Sequence, residues 1–238
     1  MKKSVNTLSS GSAKDYTDLI DFVPENVKGI IFDYGGTLDS HGDHWSRIIL
    51  DGWRHAGLNI DIDEFCRAYI HGERYLACPG VIDPSDTFFD VMLKKIEAES
   101  SVLDPIPDGR TCERVARYCY DTARTCTSES KLTLEALSRR WPLVLVSNFY
   151  GNLDAVLEDF GLSGYFKAVI ESAKVGLSKP DPEIFRLGVE ALGLQPEEVL
   201  VIGDSMDKDI LPAGSIGCPT LLIDGRPWPP TSENEAQG

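Results

Sequence analysis

Ile30-Ile31-Phe32-Asp33-Tyr34-Gly35-Gly36-Thr37-Leu38-Asp39 is a short apolar run that ends on a carboxylate and runs into a pair of glycines. A brief apolar run bounded by turn residues reads as a buried strand. Open α/β sheets bind ligands beyond the carboxyl ends of their strands, so Asp33 stands where such a sheet does chemistry. The pattern recurs. Ser147 follows Leu143-Val144-Leu145-Val146, Asp204 follows Val199-Leu200-Val201-Ile202-Gly203, and Lys179 opens Lys179-Pro180-Asp181-Pro182. One polar group at a strand end is a coincidence; four in this order mark a site.

Around that run, apolar segments at 29–32, 143–146, 167–170, 199–202 and 220–223 alternate with helical patterns. Leu153, Val156, Leu157 and Phe160 form one helical face that stops at Gly161. Ile184, Leu187, Val189, Ala191 and Leu192 form another, with Asp181 as N-cap, Pro182 at the first helical position and Gly193 closing it. Short apolar strands alternating with capped amphipathic helices predict a parallel sheet covered on both faces. Asp33 and Ser147 lie 114 residues apart, whereas a strand-helix-strand unit needs only about 30. The excess reads as four or five inserted helices, at 44–56, 62–76, 85–99, 108–124 and 129–140, broken at Pro79-Gly80, Pro84, Pro105 and Pro107-Asp108-Gly109. The expected organisation is an N-terminal extension over 1–26 with a short helix in Tyr16–Phe22, and an α/β core over 27–42 and 128–225. A helical insertion occupies 43–127, and an extended, partly disordered tail follows from about 226 to 238.

The formal net charge of −15, from 38 acidic against 23 basic residues, argues against a phosphate-tracking nucleic-acid surface or a polybasic membrane contact. Met1-Lys2-Lys3 is followed by polar residues, and no run approaches the roughly 20 apolar residues that span a bilayer. A cytoplasmic protein is therefore expected. The six cysteines include no CxxC pair. Cys112, Cys119 and Cys126 recur every seven residues on one helical face, as small buried thiols in a reducing compartment. Neither a GxxxxGK[ST] loop nor a GxGxxG phrase after a strand is present.

The four phrases together resemble the haloacid dehalogenase superfamily, whose members carry a nucleophilic Asp, a Ser or Thr, a Lys and a GDxxxxD motif in this order. The resemblance spans roughly Gly29 to Ile223. Its most specific part is Gly203-Asp204-Ser205-Met206-Asp207-Lys208-Asp209, with Ile210, Ala213, Gly214 and Gly217 behind it. It implies a Rossmann-like parallel core of five main strands in the order 5-4-1-2-3, with an α-helical cap domain inserted after the first motif. It also implies Mg2+ held by Asp33, Asp204 and the carbonyl of Gly35, with Asp209 behind them or acting through water. Asp33 would attack the phosphoryl group of a small phosphorylated substrate to give an aspartyl-phosphate. Lys179 and Ser147 would bind the transferring oxygens, with Asn148 as a helper in substrate binding. Thr37 reads as a structural residue of the turn.

One position departs from the pattern. Most phosphatases of the family have a second Asp two residues after the nucleophile, which protonates the leaving oxygen and then activates water; here that residue is Gly35. Positioned acid-base catalysis contributes roughly 10²- to 10⁴-fold. Three resolutions follow: a substrate with a good leaving group, a proton from His41, His44 or Asp39, or a slow relative that binds a phospho-ligand. Phosphonatases share a small residue at this position but need a cap lysine for a Schiff base, and Lys94 and Lys95 lie well past the first cap helices. Dehalogenases proper work without metal and lack the Gly-Asp phrase. Trp45, Trp53, Tyr69 and Tyr75 are expected in the cap core.

Overall fold

Each of the strands β2 (Gly29–Phe32), β3 (Leu143–Ser147) and β5 (Val199–Gly203) is buried along its whole length, which is why each reads as an unbroken apolar run. Alternate residues serve opposite faces. Ile31, Val144, Val146, Val199 and Val201 pack against Ile184, Phe185, Val189 and Leu192 of α7 (Glu183–Leu192). Ile30, Phe32, Leu145, Leu200 and Ile202 face the other way, into a core continuous with the inserted helices. Gly188 seats α7 on the sheet, since a methyl there would lie 2.8 Å from Ile31 Cδ1. The helix begins at Glu183 with Pro182 as N-cap, one residue later than expected; Asp181 Oδ1 still accepts from Glu183 N–H, and Gly193 closes the helix at φ +73°.

The structure is a computed structural model that describes residues 6–9 and 16–228. All strand pairs are parallel, and the sheet order is β1-β6-β5-β2-β3-β4, with β1 at Asn6–Ser9, β4 at Phe166–Glu171 and β6 at Thr220–Asp224. From β6 to β4 this is the expected five-strand order. The sixth strand is a correction: Asn6–Ser9, assigned to an extension, pairs in register with Leu221–Asp224 and covers what would be a bare edge. Its polar sequence carries little strand signal, and the pairing is imposed by the neighbour. Tyr16–Phe22 forms a 3₁₀ helix, with Leu19 buried.

The insertion has four helices rather than five: α1 (Trp45–His55), α2 (Ile62–Leu76), α3 (Phe88–Ser100) and α4 (Gly109–Ser138). No break occurs between 124 and 129. The Thr125, Thr127 and Ser128 hydroxyls donate to the carbonyls of Asp121, Ala123 and Arg124, so these polar residues satisfy themselves within the helix. The 30-residue α4 therefore runs through 127/128, packing Cys112, Val115 and Cys119 among the inserted helices and burying Leu134 and Leu137 in the same core. All six cysteines are free, and burial pushes the Cys119 thiol up. Among the described residues, no helix is long and apolar enough to cross a membrane.

The expected loose tail also needs correcting. Arg226 donates to Asp43 and Asp51 at 2.8 Å each, Arg47 Nε donates to the Pro227 carbonyl at 2.9 Å, and Trp228 packs on Tyr69 and His44. Residues 225–228 thus strap α1 and α2 to the end of β6; the rest of the expected tail lies outside the described residues. The strap depends on a glycine crossing, because a methyl on Gly225 would lie 2.4 Å from the carbonyl carbon of Gly42, and Gly42 itself has φ +94°. Overpacking of this kind costs about 1–3 kcal/mol. Gly225→Ala is therefore expected to lower Tm by roughly 2–12 °C in thermal unfolding, and an unchanged Tm would show that the crossing has slack.

Candidate active site

The amide of Asp33 donates to the Ile202 carbonyl at 2.9 Å, pinning the end of β2 to the end of β5. Chain direction across the sheet reverses at β2, since β3 lies on one side and β5 on the other. Such a reversal opens a crevice at the carboxyl ends. Asp33 and Asp204 both enter it, one residue beyond each strand.

Two glycines make room for the acids. A methyl on Gly36 would fall 2.3 Å from Asp204 Oδ2, and φ is +93° there, so the loop after Asp33 passes Asp204 only as glycine. A methyl on Gly203 would sit 2.5 Å from Asp209 Cβ. The chain after Gly203 coils through a π-helical turn, Met206–Ile210, that brings Asp209 back under it. The amide of Ser205 donates to Asp209 Oδ2 at 3.1 Å. Oxygens of Asp33, Asp204 and Asp209 consequently lie within 4.8 Å of one another.

Lys179 reaches the same point from the loop before α7. Its Nζ lies 2.6 Å from Asp33 Oδ1 and 2.7 Å from Asp209 Oδ1. Burial opposes the ammonium, but the two carboxylates outweigh it and hold the lysine firmly protonated. Three acids around one base leave negative charge in excess. Asp204 shows it: burial first, then Asp33 and Asp209, push its carboxyl up to about 8. Burial also raises Asp209, to about 6, with Lys179 pulling against it. An all-oxygen donor set with surplus negative charge fits a hard divalent cation such as Mg2+.

The remaining expected residues are distributed unevenly. Ser147, buried at the end of β3, lines the cavity above Asp33. Asn148, expected at the substrate, lines the cavity, and its amide also holds the main chain of Lys179. Its Nδ2 donates to the Lys179 carbonyl at 2.9 Å and its Oδ1 accepts from the Lys179 amide at 2.8 Å. The Thr37 hydroxyl stands 3.5 Å from Asp33 Oδ2 and 3.4 Å from Asp204 Oδ1, closer to the acids than a purely structural turn residue. Gly35 lines the cavity, and a Cβ there would meet nothing within 4 Å.

The three proton-transfer candidates separate. His41 turns to α4, with Nε2 3.0 Å from Ser130 Oγ and Nδ1 3.5 Å from Glu129. His44 lines the cavity, but burial and then Lys208 bring it down to about 4, so it is neutral. Asp39 lines the cavity too. It accepts from Gly36 N–H at 2.8 Å and from Trp45 Nε1–H at 3.0 Å, and burial pushes its carboxyl up to about 7. Of the four aromatic residues expected in the cap core, Trp53 is fully buried, Trp45 and Tyr69 line the cavity, and Tyr75 is exposed.

Sequence reasoning named Lys95 only as a cap lysine past the first cap helices and missed Glu73, Tyr150 and Trp228; all four line the same cavity as Asp33, of about 490 Å3. Trp228 sits in a Pro-rich stretch, and no local pattern marks Glu73 or Tyr150.

A family model for haloacid dehalogenase-like hydrolases matches residues 27–217. The glyceraldehyde 3-phosphate phosphatase of Methanocaldococcus jannaschii is 43% identical over 205 residues, which cover 83% of this chain and 85% of that protein. The phosphoserine phosphatase of Thermus thermophilus is 36% identical over 91 residues, 38% of this chain and 36% of that one. Among solved structures, the L-2-haloacid dehalogenase of Xanthobacter autotrophicus superposes with a TM-score of 0.54 at 20% identity, covering 89% of this chain and 81% of that chain. Dehalogenase and phosphatases share this fold, so the fold alone does not choose between their reactions. The family match over most of the length, together with a relative aligned over more than four-fifths of both chains, makes the chain a member of the haloacid dehalogenase-like hydrolases.

Proposed function

We propose that this hydrolase is a Mg2+-dependent phosphohydrolase that acts on a small phosphorylated metabolite through an aspartyl-phosphate. The observation that carries the reading is the convergence of Asp33, Asp204, Asp209 and Lys179 at the ends of β2 and β5. The named phosphatases among its relatives support it.

Asp33 Oδ1 is held by Lys179, which turns Oδ2 towards the cavity as the attacking oxygen. A bond forms from Oδ2 to phosphorus as the bond to the leaving oxygen breaks; that oxygen takes a proton, and water later attacks phosphorus and releases the Asp33 carboxylate. Lys179 and Ser147 bind the transferring oxygens, and Asn148 acts by fixing where Lys179 stands. Asp33, Asp204 and the Gly35 carbonyl would hold Mg2+, which when bound neutralises charge on the phosphoryl group. Asp39 supplies the proton that an Asp at position 35 would otherwise give, as a cavity-lining carboxyl that titrates near neutrality.

A Schiff-base route has less support. Lys95 does reach the cavity, but Glu73 at 2.6 Å and Glu99 at 3.3 Å already engage its Nζ.

Asp33→Asn should abolish phosphate release, by roughly 10³-fold or more, with Tm and circular dichroism retained. Chelation should silence the wild-type enzyme and Mg2+ should restore it; a broad phospho-metabolite panel with no turnover in Mg2+ would overturn the assignment. Because the space beside Gly35 is open, Gly35→Asp should fold normally and raise turnover of poor leaving groups by roughly tenfold or more. An inactive but folded variant would count against a missing acid.

The pH profile tests Asp39. Its carboxyl is raised from 3.8 to about 7, so the proton-bearing form prevails below about 7 and is lost above it. Turnover of an alkyl phosphate should fall as pH rises through about 7, and Asp39→Asn should lower the rate and remove that limb. The same limb in the variant would assign it to another group.

A further inference from the structure

Asp39 is 1% exposed, and its two oxygens are held from two different parts of the chain. Oδ1 accepts from the amide of Gly36 at 2.8 Å, within the same loop. Oδ2 accepts from Trp45 Nε1–H at 3.0 Å, and Trp45 is the first residue of α1, where the inserted helices begin. The indole is itself wedged in place. Its ring lies 5.1 Å from that of Phe88, the first residue of α3, and Phe88 in turn lies 5.4 Å from Phe160. Asp39 and Trp45 line the same cavity as Asp33.

A buried acid that must give up a proton meets two opposing demands. Burial favours the neutral carboxyl and holds its proton; N–H groups aimed at the oxygens favour the charged form and let the proton go. The titratable groups that bear on Asp39 are Asp33, Asp204, Tyr34 and Cys126, none of them cationic. A carboxylate offers about four lone-pair positions, so with one N–H on each oxygen Asp39 keeps room for the proton it transfers. The Gly36 donor is main chain and present whatever the side chain. The Trp45 donor exists because the residue there is tryptophan.

We propose that Trp45 is the positioning residue of the proton donor: its indole N–H fixes Asp39 Oδ2 in the cavity and holds the carboxylate that remains once the proton has moved to the leaving oxygen. As the bond from phosphorus to the leaving oxygen breaks, the Asp39 proton goes to that oxygen, and the charge left behind is shared by the Gly36 and Trp45 donors. When water attacks the aspartyl-phosphate, Asp39 takes one of its protons and is restored. The inference rests on the phosphohydrolase reading, with Asp39 as its acid, and deepens it by naming the group that acts through Asp39.

Acetyl phosphate loses a carboxylate and needs no proton, whereas an alkyl phosphate loses an alkoxide and does. The alkyl probe is whichever of glyceraldehyde 3-phosphate, glycerol 1-phosphate and phosphoserine is cleaved fastest. The ratio of kcat/KM for that probe to kcat/KM for acetyl phosphate covers only the steps through departure of the leaving group, and so isolates proton donation. Asp39→Asn should lower the ratio by about tenfold or more. Trp45→Phe keeps a ring against Phe88 and removes the N–H, and should lower the ratio by about tenfold, whereas a merely structural role would lower both substrates together. A second measurement needs no tryptophan variant to fold. Among the four isotopically labelled tryptophans of the wild-type protein, one indole N–H signal should shift as Asp39 titrates and stand still in Asp39→Asn. An unmoved ratio in Trp45→Phe, or no indole signal that answers to Asp39, overturns the proposal. An unmoved ratio in Asp39→Asn strikes Asp39 as the acid and this role of Trp45 with it, and an absence of turnover on every substrate with Mg2+ strikes the phosphohydrolase reading beneath both.

Discussion

Mutual repulsion among Asp33, Asp204 and Asp209, offset by the one ammonium of Lys179, is the constraint around which this end of the molecule is built. Like charges gathered away from water cost several kcal/mol unless something of opposite sign joins them. The fold accepts that cost through backbone means. Parallel pairing of β2 with β5 brings residues 33 and 204 side by side. Gly36 and Gly203 leave out the side chains that would collide with Asp204 and Asp209. Asn148 grips both polar groups of the Lys179 peptide, so the compensating charge arrives on a rigid support. What remains uncompensated is concentrated on Asp204, the acid whose carboxyl is raised most within the cluster.

How much of this could be read from sequence depended on the range of the interaction. Strands β2, β3 and β5 were legible because burial on both faces leaves a continuous apolar signature. Helix α7 was legible because Asp181 and Gly193 mark its ends by local hydrogen bonding and handedness. The continuity of α4 was not, since Thr125, Thr127 and Ser128 look like a break until their hydroxyls are seen bonding back along the helix. Strand β1 was hidden because its partner is more than 200 residues away, at Leu221–Asp224.

The site divides along the same line. Asp33, Ser147 and Asp204 occupy strand ends and so carry a positional signal in the chain, while Lys179, in the loop before α7, is marked by the Lys179-Pro180-Asp181-Pro182 phrase. Glu73, Lys95, Tyr150 and Trp228 come from two helices, a loop and the strap, and only packing unites them. Asn148 shows the limit within a motif: like its neighbour Ser147 it lines the cavity, but its amide also holds the main chain of Lys179. Residue type and order located the chemistry, and tertiary packing decided which atoms remained available to a ligand.

Helix α4 has a mechanical consequence. Thirty residues at about 1.5 Å each make a rod of roughly 45 Å, packed against α1, α3 and the 3₁₀ helix Tyr16–Phe22. Such a rod does not fold in its middle without forfeiting backbone hydrogen bonds. The inserted lobe's other connection, the loop from Gly36 to His44, is fastened by Arg226 to the chain just beyond β6, so both of its links to the sheet are braced.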